Sequence, residues 1–390
     1  MAAQTTLKQQ VFFVTALRLV VNTPLRMVYP FLTYFAAGMN KDISMISLAV
    51  GISMATSAFG PFIAPIADRR GRKVGMLIGT GIFLVGTIAA SLFPGYATFF
   101  LAILLGNLGN NILIPALQAY LGDRVPYARR GFYLAFTELS WALSFILMVP
   151  LDGLLIRQTT WVGPFIAVSI LGVIMFFLLW KLIPSDTPKD VQPLDILADI
   201  RKVLAYPPAV YAILMGTLFI TGNEVVNIIF GVWMQDVFQL QIAALGAASF
   251  VIGISELSGE GLAALLADRL GKERTIAISL ILNALWVVTL PWLGKSLPGA
   301  FVWLFIFYLT FELAIISSLP LMTEITPATR ATMMSLFIAF LSLGRAVGDL
   351  VAPWIYRGGF LMNALVCVGL DLLALLALSR IRIKRDNPSL

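Results

Sequence analysis

Long apolar stretches without a charged residue constrain this 390-residue chain more than any other feature. Residues 74–93, 161–180 and 275–293 each extend for about 20 residues without a charge, which is the length that an α-helix needs to cross a bilayer. Backbone amides in lipid must be satisfied within their own segment, so each stretch is predicted to be a transmembrane helix. Only 12% of the residues are charged, whereas about 25% is usual in a soluble protein.

Hydropathy along the chain predicts twelve such helices, six on each side of one long polar segment. The predicted spans are 11–36, 43–67, 74–93, 97–121, 132–156, 161–183, 208–232, 241–267, 275–293, 300–322, 332–355 and 359–380. The polar segment predicts a short amphipathic helix on the membrane surface, because its apolar residues have helical spacing. These residues are Leu194, Leu197, Ile200 and Leu204. We therefore expect two six-helix bundles, residues 1–184 and 208–390, joined by a linker at 185–207.

The distribution of basic residues predicts how the chain is oriented in the membrane. Of 27 lysines and arginines, 20 lie in the tails, the linker and the loops on the side of the tails, and only four lie in the opposite loops. Cytoplasmic loops carry such an excess, so both termini are predicted to be cytoplasmic and the protein to lie in a bacterial inner membrane. The same excess accounts for the net charge of +7 without a nucleic-acid partner. Because Arg18 and Arg26 interrupt the first apolar stretch, we interpret it as a spanning helix and not as a cleavable signal.

The two halves of the sequence repeat each other with a displacement of about 200 residues. Residues 68–72 read Asp-Arg-Arg-Gly-Arg, and residues 268–272 read Asp-Arg-Leu-Gly-Lys. Three further pairs keep this register: Asp123 with Glu324, Arg129 with Arg330, and Asn22 with Asn223. Parallel repeats of this kind predict that the second bundle copies the first.

The loop after the second span, residues 64–73, reads Ala-Pro-Ile-Ala-Asp-Arg-Arg-Gly-Arg-Lys. It resembles the signature loop of the major facilitator superfamily, and the fifth span keeps Pro150 and Gly153 of a pattern found in its proton antiporters, although without that pattern's glycine pair. The resemblance implies a latch that holds the two bundles together when the cavity faces outward. Its residues would be Asp68, Arg69, Gly71 and Arg72, with the copies Asp268, Arg269 and Gly271. A simple positive-inside anchor would account for the arginines alone.

Ionisable residues inside the predicted spans are candidate functional groups, because charges are costly at membrane depth. The cations are Arg18, Arg26 and Arg345, and the carboxylates are Glu138, Glu224, Glu256, Glu260, Glu312, Asp349 and Asp371. Three cations cannot neutralise seven anions, and burial favours the neutral form of a carboxyl group. The chain has no histidine, so reversible proton binding is assigned to the acids.

Helices 1, 4, 7 and 10 line the cavity in the superfamily, and the resemblance ranks the candidates accordingly. The predicted substrate-binding residues are Arg18, Arg26, Asn22, Asn107, Asn111, Asn223 and Asn227. The predicted proton-coupling residues are Glu224 and Glu312, with Glu256 and Glu138. Arg345 and Asp349 stand one helical turn apart and are predicted to pair with each other. For Glu256 and Glu260, pairing and proton carriage both stay open, and Asp371 is assigned a structural contact.

These features predict a secondary active transporter that exports a small amphiphilic or drug-like compound in exchange for protons. A flippase for an amphiphilic lipid and a proton-coupled importer of an organic anion are the alternatives. We expect a monomer whose partners are the small-molecule substrate, protons and membrane lipid. One cysteine and no histidine leave no cluster for zinc or haem, so neither a metal, a cofactor nor an enzymatic activity is expected.

Overall fold

A computed structural model describes residues 6–60, 71–186 and 196–381 of the chain. We number the membrane helices α1 to α12 and call the short helix between α6 and α7 the linker helix. The first six are α1 (Leu7–Arg26 with Val28–Gly38), α2 (Ile43–Phe59), α3 (Arg72–Leu92), α4 (Tyr96–Arg124), α5 (Arg129–Gln158) and α6 (Gly163–Leu182). They are followed by the linker helix (Ile196–Leu204), α7 (Pro207–Phe238), α8 (Ile242–Leu270), α9 (Lys272–Val287 with Leu290–Leu293), α10 (Leu297–Ile325), α11 (Arg330–Tyr356) and α12 (Phe360–Ser379).

Each of the twelve predicted spans overlaps a helix in the described part of the chain, which confirms the predicted fold class. In the described part of the chain, nine helices are long and apolar enough to cross a membrane, and the bent α1 makes a tenth. The described part of α2 is shorter because residues 61–70 lie outside the described ranges. The linker helix is also observed, although Leu194 lies outside those ranges, and the bundle boundaries at 184 and 208 remain a prediction.

Two helices are interrupted at equivalent points of the repeat. The axis of α1 bends by 52° at Met27, where Pro30 cannot donate a backbone hydrogen bond to the carbonyl of Arg26. In α7 the regular helix ends at Asn227 and resumes at Phe230. Ile228 in that break stands 201 residues after Met27. The first helix of each half is therefore interrupted at the same place of the repeat, which hydropathy did not reveal, although only α1 is bent by more than 40°.

Because an even number of passes returns the chain to its starting side, the described ends of the chain, Thr6 and Ile381, lie at one face of the bundle, which we call the terminal face. Near the opposite, far face, the two halves pack so closely that glycine is required. A Cβ on Gly231 of α7 would lie 2.5 Å from the carbonyl oxygen of Pro30, and one on Gly253 of α8 would lie 2.9 Å from that of Ala142. Thr33 also donates a hydrogen bond to Gln235 across the halves. We call this contact region the far seam.

The contact between α5 and α8 is made mainly by residues 140–158 of α5. Glu138 of α5 and Glu260 of α8 lie on opposite halves nearer the terminal face. No hydrogen bond or ion pair joins them, and the Glu138 side chain is 45% exposed. Along α5 and α8 the halves are therefore packed together near the far face and are not joined at Glu138 and Glu260, and the far seam ends at mid-membrane.

Candidate functional site

A cavity of about 70 Å³ lies where the far seam ends. We call it the central cavity, and it is lined by Arg26, Trp141, Asn223, Asn227, Glu256, Tyr308, Phe311, Glu312, Ile315 and Arg345. Its walls come from α1, α5, α7, α8, α10 and α11. Both halves thus contribute charged side chains to one space. Of the predicted lining helices 1, 4, 7 and 10, helix 4 contributes no residue to this cavity, and helices 5, 8 and 11 line it in addition.

Arg26 of α1 forms the ionic contact between the halves. Its guanidinium pairs with the carboxylate of Glu256 on α8, and both side chains are buried, at 3% and 5% exposure. The guanidinium carbon lies 3.4 Å from the centre of the Phe145 ring and 4.3 Å from that of Trp141, so cation–π attraction adds to the ion pair. Residue 26 lies just before the bend in α1, which directs its side chain to the junction of the halves.

A π-helical turn at Ser144–Met148 places Phe145 beneath Arg26. Its cause is local, because Pro150 has no N–H for the carbonyl of Ile146 and its ring displaces that carbonyl. Pro150 had been noted in the sequence as part of the family pattern in the fifth span. Its structural effect is to change the course of α5 beside the cavity. Such π-helical turns are frequently found at functional sites.

Glu312 of α10 is the unpaired acid of the central cavity. Its side chain is buried, with 6% exposure, and no described residue pairs or hydrogen-bonds with its carboxyl group. Gly259 of α8 allows the approach, because a Cβ there would lie only 2.7 Å from the Cβ of Glu312. Glu312 therefore lies close enough to Glu256 and Glu260 to interact with their charges. It lies next to the Arg26–Glu256 ion pair but is not part of it.

A second buried cluster surrounds Glu224 of α7, which has 0% exposure. Arg345 donates to one carboxylate oxygen at 3.1 Å, and Asn227 donates to the other at 3.0 Å. The hydroxyl of Tyr308 in turn donates to Asn227 at 2.5 Å. Each carboxylate oxygen of Glu224 thus accepts one hydrogen bond, from a residue of α7 and a residue of α11.

The predicted pairing of Arg345 with Asp349 is wrong. Arg345 pairs with Glu224 instead, because Gly344 and Gly348 let α7 approach α11 closely. A Cβ on Gly348 would lie 2.6 Å from the Cβ of Glu224. The small-xxx-small spacing that permits this approach is a common device in membrane helices, and it outweighs the spacing of one turn within α11.

Arg18 and Glu138 form a two-pronged pair within the first half. The guanidinium donates to the two carboxylate oxygens at 2.7 and 2.8 Å, and a further hydrogen bond reaches Thr137 at 3.2 Å. Because α1 and α5 belong to the same half, movement of the halves does not need to break this pair. Its two members lie nearer the terminal face than the central cavity does.

The predicted asparagines divide into two groups. Asn107 and Asn111 of α4 donate to Ser57 of α2, at 2.8 and 2.9 Å, and so lie away from the central cavity. Asn223 lines that cavity, whereas Asn22 borders a void of about 10 Å³ beside α4. The side-chain nitrogens of both are buried without a hydrogen-bond partner. The two asparagines, which are related by the repeat, therefore share this unpartnered donor.

The signature loop and its copy adopt the same turn where the structure describes them. Gly71 and Gly271 have φ values of +95° and +87°, a conformation that L-residues rarely adopt. Arg72 pairs with Asp123 at 3.5 Å, and Lys272 pairs with Glu324 in the equivalent place. The latch itself remains a prediction: Asp68 and Arg69 lie outside the described residues, as does the side chain of Asp268, and Arg269 is exposed.

Sequence reasoning missed several residues of this region. Tyr308 stands 201 residues after Asn107, so the repeat itself could have identified it. Trp141 and Phe145 carried no signal beyond their position in the fifth span. Asp152, which also lies in that span, is 2% exposed with an unpartnered carboxylate oxygen, and it was omitted from the deep carboxylates.

Twelve helices in two repeated halves, closed around charged groups at mid-membrane, define a membrane transporter of small molecules. The sequence profile of the Major Facilitator Superfamily matches residues 14–323 and 212–389, and the chain belongs to that superfamily.

Known members of the superfamily are similar to the chain in sequence and in fold. The chain is 25% identical over 353 residues to the uncharacterized MFS-type transporter YwfA of Bacillus subtilis, covering 88% of this chain and 85% of that protein. It is 25% identical over 249 residues to the multidrug resistance protein MdtG of Salmonella typhimurium, covering 60% of each. The crystal structure of a D-xylose–proton symporter superposes with a TM-score of 0.78 at 16% identity, covering 97% of this chain and 98% of that one.

Proposed function

We propose that this transporter exports a small amphiphilic compound, neutral or positively charged, in exchange for protons. The observation that carries the proposal is the ion pair between Arg26 and Glu256, with the unpaired acid Glu312 beside it. The pair joins the two halves at the end of the far seam, so it must separate whenever the far face opens.

Separating the pair needs a compensating event. Removing one partner of a buried ion pair costs about 3–5 kcal/mol, because the other charge is left uncompensated. A proton passed to Glu256, directly or from the neighbouring Glu312, removes the negative charge that holds Arg26 to the second half, while Arg26 keeps its contacts with Phe145 and Trp141 of its own half. Proton binding at these acids is therefore coupled to the exchange between far-face-closed and far-face-open states.

Charge in the cavity favours the proposed substrate class. Each of the three deep arginines already pairs with a carboxylate, namely Glu138, Glu256 and Glu224. Among the described residues this leaves two acids near the cavity, Glu312 and Glu260, without a paired cation. The aromatic and aliphatic side chains of Trp141, Phe311 and Ile315 offer apolar contact. An anionic substrate or lipid headgroup would have to displace an existing pair, so this arrangement does not favour the flippase and anion-importer alternatives.

The relatives support export. MdtG is named a multidrug resistance protein, and drug resistance requires movement of the compound out of the cell. We place this chain in a bacterial inner membrane, with both termini in the cytoplasm, because of its positive-inside charge pattern. We also propose that it acts as a monomer. In that orientation the terminal face is the cytoplasmic face, and the central cavity receives its substrate from inside.

The test uses purified protein in liposomes with an imposed pH gradient. A panel of amphiphilic cations is first screened for compounds that raise the thermal stability of the protein, since a bound ligand stabilises the folded state. The gradient should then drive uphill movement of such a compound. Glu312→Gln and Glu256→Gln should abolish the uphill movement while leaving downhill exchange measurable.

The matched control is Glu138→Gln, which removes a carboxylate of the same kind whose pair stays within one half. We expect it to weaken transport less than either cavity variant. Movement that is indifferent to the pH gradient in the wild-type protein would reject proton coupling, and full uphill transport by a Glu256→Gln/Glu312→Gln double variant would reject these two acids as carriers.

A further inference from the structure

Asp349 of α11 is a buried acid that the proposed exchange at Arg26 does not use. Its side chain has 0% exposure, and neither carboxylate oxygen has a hydrogen-bond donor among the described residues. An ionised carboxylate in that situation would lack both water and protein donors, which is among the least favourable states of a buried group. Protonation supplies what is missing, because a neutral carboxyl group carries its own donor.

The neighbours of Asp349 are arranged to accept that donor. Glu224 on α7 is its acidic neighbour, since a Cβ on the adjoining Gly348 would lie 2.6 Å from the Cβ of Glu224. Both carboxylate oxygens of Glu224 already accept hydrogen bonds, from Arg345 and Asn227, and a second negative charge beside this group would be repelled. Two tyrosines also face the cluster: Tyr308 of α10, which donates to Asn227, and Tyr29 of α1, whose buried hydroxyl lacks a partner in hydrogen-bonding geometry.

Asp349 also lies on the junction between the halves. A Cβ on Gly51 of α2 would lie 3.2 Å from the Cβ of Asp349 and 3.1 Å from the carbonyl oxygen of Ala346. Helix α2 belongs to the first half and α11 to the second, so α2 covers Asp349 only while the halves are together on this side. Opening the far face would remove that cover and admit water to the carboxyl group.

We infer that Asp349 is a proton-binding site that controls the far seam: it takes a proton from the far side, shares it with Glu224, and must be neutral for the seam to close. Far-side water supplies the proton that forms the O–H bond on Asp349 when the seam closes, and the proton returns to far-side water when the seam opens and water solvates the ionised carboxylate. This site is separate from the Arg26–Glu256 pair and sets the pH response of the seam without moving a net proton across the membrane. The inference therefore goes beyond the proposed proton coupling and does not require Glu312 or Glu256 to carry a proton.

The sign of the pH response follows from this scheme. Lower pH protonates Asp349 and favours the closed seam, whereas higher pH ionises it and favours the open seam. Spin labels on cysteines placed at Arg157 and Lys295, which lie at exposed positions on the far face of opposite halves, report the separation. Native Cys367 is buried at 1% exposure, so it can stay in place. The wild-type distance should lengthen as the pH rises.

Asp349→Asn mimics the neutral acid and should hold the short distance at every pH. The matched control is Asp371→Asn, which changes an aspartate of the second half that is 2% exposed and lies 3.9 Å from the sulfur of Cys367. It should keep the wild-type pH response. A wild-type response in Asp349→Asn, or its loss in Asp371→Asn alone, would overturn the inference.

A second measurement needs no substitution at the site. Infrared difference spectra of protein labelled with ¹³C at its aspartate carboxyl carbons should show a protonated aspartate that ionises as the seam opens, and this signal should persist in Asp152→Asn and Asp371→Asn. Absence of such an aspartate signal in those two variants would reject the site. A pH-responsive seam in a wild-type protein whose transport ignores the gradient would reject the proposed coupling while leaving Asp349 as a proton site.

Discussion

The guanidinium carbon of Arg26 lies 3.4 Å from the centre of the Phe145 ring, while its nitrogen pairs with Glu256 on the other half. The ring of the first half thus orients the cation that the second half neutralises. Phe145 owes this position to the π-helical turn in α5. One irregular turn therefore sets the geometry of the ionic contact at the end of the far seam.

Phe145→Leu should weaken this arrangement while keeping the core filled. We expect a loss of about 0.5–2 kcal/mol in unfolding free energy, the range for a cation–π contact away from bulk water. A double-mutant cycle with Arg26→Gln separates this contribution from packing. If Phe145→Leu costs as much in the Arg26→Gln background as in the wild type, the ring acts by packing alone.

Gly231→Ala should open the far seam. The added Cβ would meet the carbonyl oxygen of Pro30 at 2.5 Å, so the closed state must shift to accommodate it. A cysteine introduced at Thr33 should then react with an impermeant thiol reagent about tenfold faster, the factor given by about 1.4 kcal/mol.

Gly369→Ala is the control for helix propensity. It lies within α12 and would place its Cβ with nothing within 4 Å. Alanine is favoured over glycine in a helix by up to about 1 kcal/mol, so this variant should be neutral or slightly stabilising. Equal labelling of Thr33→Cys in the Gly231→Ala and Gly369→Ala backgrounds would contradict the role assigned to the seam.

The charge asymmetry of the loops makes a prediction about topology. Cysteines introduced at Lys41, Arg157 and Lys295 should react with an impermeant thiol reagent added outside intact cells, and those at Arg70, Tyr127 and Lys189 should react only after lysis. All six positions are compared in the same cells, so expression is controlled internally. The reverse pattern would invert the orientation and the assignment of the terminal face to the cytoplasm.

The signature loop makes a prediction about cycling. Asp68→Asn should insert and fold normally but slow transport, because it removes the charge expected to hold the outward-facing state closed at the terminal face. Asp268→Asn should be milder, since Glu273 stands in the second copy where the first has Lys73. Transport rates in liposomes, normalised to inserted protein, measure both. Wild-type rates in both variants would reduce the loop to a topological anchor.

The fold could be predicted because its determinants are local. Uncharged stretches define the helices, and the repeat of residues 68–72 at 268–272 defines the two halves. Pro30, which causes the bend at Met27, is visible in the sequence, although the bend itself was not predicted. The break at Ile228 shows only through the repeat.

The site could be predicted only as a set of residues, and its pairing could not. Arg26 and Glu256 are 230 residues apart, and nothing local indicates that they meet. Arg345 was assigned to Asp349 because spacing within a helix is visible in the sequence, whereas the approach of α7 depends on how Gly344 and Gly348 pack. Which acids stay unpaired, as Glu312 does, therefore emerges only from the arrangement of helices.

Part of the far seam forms without restricting side-chain rotamers. Three of its close contacts bring Gly231, Gly246 and Gly253 against backbone atoms of Pro30, Pro150 and Ala142. Glycine, alanine and proline lose essentially no side-chain conformational entropy on burial. These contacts can consequently form and separate with little side-chain entropic penalty, whereas the Thr33–Gln235 hydrogen bond and the Arg26–Glu256 pair order longer side chains. Under the proposed scheme, a proton that alters one such polar contact would shift the balance between the two states.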